Sequence, residues 1–262
     1  MDVNAVVNGL LIGGFYAVVA MGLSLVFGVL RMINLAHGEI VVGGAYLAYV
    51  LGSAAGLDPF ISLPVVVVVV AALAYLLQRY LLTGLLVNRP EGAMVATFGL
   101  ALLAQGVFAQ VFTSQPKSLN SPLSTSGFTV LGVQVRTIYV VAFAVGAALC
   151  VAVHLTVTRT RLGAMVRASA ADPATAGLMG IDTGRVYAAT FAVGAAIAAL
   201  GGVLVGVTFS VTPTTGTQYL LVGIAVVVLG GVGNVLGTFL GRPSSGWCSP
   251  WPPRSSEAAT AT

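Results

Sequence analysis

The residues able to do chemistry are few, and they fall in two places. Asn34-Leu35-Ala36-His37-Gly38-Glu39 sets an amide, an imidazole and a carboxylate directly ahead of an apolar run. Asp172 and Asp182, with Arg159, Arg161, Arg167 and Arg185, occupy the stretch from Thr158 to Arg185. His37 and Glu39 are two positions apart, so a regular helix aims them at nearly opposite faces and they act together only where the backbone is irregular. Two roles stand open for them. They cap the cytoplasmic end of a span, or with Asn34 they line a transport path, since ionisable residues inside a membrane default to function.

Familiar enzyme constellations are missing. The single lysine, Lys117, follows Pro116 and does not close a phosphate-binding Gly-Lys-Ser/Thr loop. His37-Gly38-Glu39 matches the first half of a zinc-deaminase signature, but the Pro-Cys-x-x-Cys half is absent. Cys150 and Cys248 supply neither a disulfide framework nor metal-ligand spacing. With no nucleophile converging on His37 and Glu39, no catalytic residue, metal or cofactor is expected.

The elements that must position these residues are apolar. Charged residues make up 7% of the chain and hydrophobic ones 58%, against about 25% charged in ordinary soluble domains. That composition predicts an all-α polytopic membrane protein, because a helix satisfies its own backbone in hydrocarbon. The net charge of +4 comes from arginines scattered at span ends, which argues against nucleic acid as a partner. Seven spans are expected: 5–30, a second through 46–51, 61–82, a fourth from Glu91 to about Phe112, 137–157, 186–210 and 219–241. The last contains Gly230-Gly231-Val232-Gly233-Asn234 and reads as one helix or two half-helices. Gly9/Gly13 and Gly202/Gly206 have the small-xxx-small spacing of close helix contacts. The Met-Asp start lacks a basic region, so the first run reads as a retained span. Arginine-rich loops stay inside; 158–185 is therefore expected in the cytoplasm, and 113–136 and the N-terminus outside.

The arginine loop carries its own short helix. Asp172 is placed to cap it, Pro173 suits its first turn, and Gly180 suits a left-handed stop. Ala174, Gly177 and Leu178 share a face on which Leu178 is the one large side chain. From these residues alone the helix either lies on the membrane surface or docks a soluble partner.

Several stretches together resemble the permease subunits of branched-chain amino acid ABC importers, the first of the two paired permease types. The likeness spans about residues 7–241. It rests on Asn8-Gly9-Leu10 with Tyr16-Ala17, on Gly22-Leu23-x-Leu25-x-Phe27-Gly28-Val29, and on Ile33 to Glu39 with Gly44-Ala45-Tyr46. Ala96-Thr97-x-Gly99-Leu100, Asp172 to Ile181, and Leu229-Gly230-Gly231-x-Gly233 add to it. The resemblance implies an alternating-access permease in the bacterial inner membrane that performs no bond chemistry. Its implied partners are two cytoplasmic ATP-binding subunits, a second permease forming a heterodimer, an extracytoplasmic amino-acid-binding protein and the bilayer. It also turns 158–185 into a coupling loop, with Asp172, Ala176, Gly177, Leu178, Met179 and Gly180 facing the ATPase. The family's usual glutamate is replaced by Ala174. An ion-coupled transporter using Glu39 is the alternative.

Residues 242–262 depart from the pattern. Four prolines and two arginines cannot continue a membrane helix. The expectation is a permease domain over 1–241 and a polar tail that is either a cytoplasmic extension or the product of a shifted reading frame in place of an eighth span.

Overall fold

A computed structural model describes residues 3–88, 90–121, 127–130 and 133–231. Ten α-helices occur among them: α1 (Val3–Leu30), α2 (His37–Ala55), α3 (Pro59–Leu77), α4 (Thr83–Asn88), α5 (Pro90–Phe112), α6 (Thr137–Arg159), α7 (Arg161–Ala171), α8 (Pro173–Leu178), α9 (Thr183–Thr208) and α10 (Thr215–Gly230). The chain is an all-α polytopic membrane protein. Six of the described helices are long and apolar enough to cross a bilayer, and α10 is a shorter apolar helix. Gly231 follows α10 with φ 89°, a left-handed backbone that ends it. Val232 to Asn234, the end of the seventh expected run, and the tail 242–262 lie outside the described residues.

The bundle is built around α9. Nearly all of its length is buried, with α1, α2 and α3 packed on it, α10 against α1 and α2, and α6 against α1. Ala and Gly dominate the buried face of α9, which lets neighbouring backbones come close. At Gly202 an added methyl would fall 2.8 Å from the Val41 carbonyl carbon, so only glycine fits where α2 crosses α9. Gly9 and Gly13, expected to make such a contact, meet nothing within 4 Å among the described residues. Spacing identifies which residues permit close approach; the packing partner decides which of them use it.

The other helices present apolar side chains outward. Val95, Phe98, Leu103, Val107 and Val111 of α5 are exposed, as Val65, Val68 and Leu73 of α3 are. Such faces suit hydrocarbon or another membrane subunit. The valine run of α3 is helical, as a backbone without water requires. It leads into a π turn, Gln78–Leu82, in which the Thr83 amide reaches back five residues to the Gln78 carbonyl.

The loop after α5 and the turn after α9 share one end of the bundle. Lys117 and Val211 exchange backbone hydrogen bonds of 3.0 and 2.8 Å, and the Leu119 amide donates to Gly206 O at 2.8 Å. An antiparallel hairpin, β1 (Gly127–Val130) with β2 (Val133–Arg136), follows in the same loop, within a Ser- and Thr-rich stretch of sequence. Its β-branched residues alternate too briefly to signal strands.

Candidate functional site

The start of α2 lies deep in the packing. α1 stops at Leu30 with Arg31 at φ 53°, a left-handed conformation that a non-glycine residue rarely adopts. The next residues return alongside α1: His37 Nε2 and Val19 O are 2.9 Å apart, and Val19 lies eleven residues, about 16 Å of helix, before Leu30. On the other side the Leu35 amide donates to Thr97 Oγ1 at 3.3 Å, inside α5. Asn34 closes the turn, its carbonyl accepting from the His37 amide and its Oδ1 from the Ala36 amide at 3.0 Å. All three path candidates are buried, Asn34 and His37 at 1% exposure and Glu39 at 6%.

His37 and Glu39 do point apart. His37 faces α1, whereas the Glu39 carboxylate lies beside Gly216 in the first turn of α10, where a methyl on Gly216 would sit 2.6 Å from the carboxyl carbon. Gly38, between them, abuts the Gly216 backbone; a methyl there would fall 2.6 Å from the Gly216 carbonyl carbon. Glu39 also borders a cavity of about 500 Å³ between α2, α3 and α5, and its Oε2 has no hydrogen-bond partner among the described residues. The structure therefore brings Asn34, His37 and Glu39 into one buried turn without joining them as a pair.

The second site is α7–α8 and the start of α9. Asp172 caps α8, accepting from the Ala174 amide at 2.9 Å and the Thr175 amide at 3.2 Å, with the Thr175 hydroxyl donating to its other oxygen. Gly180 has φ 82°, and the Ile181 amide returns to Ala176 O at 3.1 Å, closing the helix end as a Schellman motif. These donors hold the Asp172 carboxyl below the usual aspartate range, the Thr175 hydroxyl foremost.

Two expectations for this helix change. Ala176 is buried, so it anchors α8 to the protein and is not part of the outward face. Met179 is 79% exposed beside Leu178 at 88%, so the apolar tip has two large side chains. Gly177 and Gly180 are exposed with them.

Sequence reasoning missed α7 and the ion pair of Arg79 with Asp182. Thr160 caps α7, accepting from the Gly163 amide at 3.0 Å, and Tyr187 of α9 donates to Ser169 O at 3.3 Å. The signal was present in Leu162, Met165, Val166 and Ser169 at three-and-four spacing. Arg79, in the π turn, lies 3.3 Å from Asp182 Oδ1, while Arg185 lies 2.9 Å from Asp182 Oδ2. Asp182 also accepts from the Arg185 amide at 3.0 Å; that bond, then the two guanidinium groups, hold its carboxyl below the usual range. The π turn of the third span is thus tied to the loop before α9.

A helix start buried inside a bundle of apolar spans, with a capped helix standing out from one loop, is the architecture of a polytopic membrane protein with an exposed apolar tip. The chain belongs to the family described as "Branched-chain amino acid transport system / permease component", which matches residues 5–243. The BraD permease of the high-affinity branched-chain amino acid transport system of Pseudomonas aeruginosa is 30% identical over 248 residues, 90% of this chain and 81% of that protein. The corresponding LivH permease of Escherichia coli K12 is 29% identical over 249 residues, covering 89% and 80%. The ribose import permease RbsC of the same organism is 30% identical over 247 residues, covering 86% and 70%. No solved structure matches the chain. Its role is that of an ABC importer permease, and the ion-coupled alternative is not favoured.

Proposed function

We propose that the chain forms half of a pathway for branched-chain or closely related amino acids, paired with a second permease and driven by two cytoplasmic ATP-binding subunits. An extracytoplasmic binding protein delivers the substrate. The observation that carries this reading is α8: a six-residue helix, capped at both ends and anchored by Ala176, that holds Leu178 and Met179 out into solvent. Exposed apolar tips on a rigid, locally specified support suit a groove on a partner subunit. The tie from Asp182 to Arg79 gives motion of that tip a direct connection to the third span.

In this reading 158–185 is cytoplasmic, 113–136 and the N-terminus are outside, and Asn34, His37 and Glu39 belong to the path. The bonds between Lys117 and Val211 support the orientation, because they put 113–136 at the far end of α9 from the end that 158–185 leads into. Residues 1–241 form the permease body; the tail 242–262 is kept apart from it, and sequencing the gene across the Gly241 codon tests the shifted frame. Thiol labelling from outside tests the topology: Ser114→Cys reacts in intact cells and Ala174→Cys only after permeabilisation. Uptake of labelled leucine by cells carrying the chain with its neighbouring transport genes tests the function, and no uptake of leucine, isoleucine or valine overturns the substrate assignment.

A further inference from the structure

We propose that the cavity between α2, α3 and α5 is an intramembrane binding site for the free amino acid, in which Glu39 holds the ammonium group and the aliphatic walls take the side chain. The proposal rests on the permease reading and deepens it. The cavity, about 500 Å³, is within the range of small-molecule sites. Its walls include Gly43, Leu47, Val70, Ala104 and Phe108, and among the described lining residues Glu39 carries the only ionisable carboxyl.

A carboxylate that is 6% exposed, with one oxygen lacking a hydrogen-bond partner among the described residues, is costly unless something pairs with it. A hard metal ion needs several oxygen ligands, and no group of three metal-ligating side chains occurs among the described residues. A lipid tail fills apolar walls but gives Glu39 no partner. An ammonium carried on a branched aliphatic body satisfies both halves of the site. Seven residues along α2, on the same face, Tyr46 also lines the cavity, and its buried hydroxyl has no partner among the described residues. It is a donor for the substrate carboxylate, on a ring fixed by Phe112 stacked at 4.1 Å and Phe108 at 5.3 Å. A larger cavity of about 690 Å³ between α6, α7 and α9 lacks this feature, since its charged residues Asp182 and Arg185 already pair.

The experiment measures protection of a thiol in the cavity. Ala104→Cys, in the full chain with Cys248→Ser and in native membranes, is labelled with N-ethylmaleimide in the presence of L-leucine, 3-methylbutylamine or 4-methylpentanoate. Leucine and the amine are expected to slow labelling, and the acid, which lacks the ammonium, is not. Glu39→Gln should raise the half-protecting leucine concentration about thirtyfold or more, the effect of unpairing one member of a buried charge pair. Should Glu39→Gln fail to fold, Glu39→Asp keeps the charge on a shorter arm and should shift half-protection to higher leucine. Absence of protection, equal protection by 4-methylpentanoate, or half-protection unchanged in these variants overturns the site. Leucine uptake that persists without protection removes this cavity alone, whereas absence of uptake by the wild-type system removes the permease reading itself.

Discussion

The two candidate regions are held in opposite ways. The start of α2 leans on distant groups: beyond the local turn that Asn34 closes, the Val19 carbonyl, Thr97 and the Gly216 backbone hold it in place. The α8 region specifies itself. Asp172, Pro173 and Gly180 make its cap, first turn and stop, and its outer face, with Leu178 and Met179, is largely exposed. A buried element that depends on its neighbours transmits their movements and fails when any of them shifts. A locally encoded one keeps its form while its surface remains available to a partner.

That contrast predicts unequal responses to substitution. The largest effect is expected at Gly38→Ala, whose methyl meets backbone that cannot rotate away; overpacking there should cost about 3 kcal/mol and lower the yield of folded protein. Size-exclusion profiles and thermal denaturation in detergent check it. Gly9→Ala, which meets nothing, is the control, and equal damage from both would erase the distinction.

Next comes Leu178→Asp. A charge on the exposed tip should leave folding within about 0.5 kcal/mol of wild type while abolishing ATP-driven uptake. Met179→Asp should act in the same direction. Normal uptake in both would move docking away from α8.

Asp172→Ala should have an intermediate effect, since the last turn and Ala176 remain to hold the helix. Faster hydrogen exchange at the Ala174 and Thr175 amides, with uptake reduced but present, is the expected result. The pH dependence follows from the same bonds. Because the folded carboxyls of Asp172 and Asp182 titrate below their unfolded values, their contribution is complete above the ordinary aspartate range and disappears as pH falls through the depressed values. Amide protection in α8 should therefore persist through mild acid and decline only below that range.

Arg79→Ala should have the smallest effect on structure, because Asp182 retains the Arg185 amide and side chain. If the π turn relays motion, a complex carrying the variant should hydrolyse ATP normally yet transport less per ATP. An unchanged ratio would leave Arg79 a surface ion pair only.

The sequence by itself determined what depends on short range and on composition. A chain with so few charges has only helices available to it in hydrocarbon, so the apolar runs and the class of protein were legible. The α8 helix was legible as well, because a cap, a proline and a left-handed glycine act within a single turn. Tertiary structure alone decided the rest. That Gly202 and Gly38 make close contacts while Gly9 and Gly13 make none depends on which helix lies opposite. That Ala176 turns inward and Met179 outward depends on where α8 rests against α9. The depth of His37 and Glu39 was invisible for the same reason: a turn re-entering the bundle is held by groups up to 178 positions away, as the contact of Gly38 with Gly216 shows, and no local pattern records such a distance.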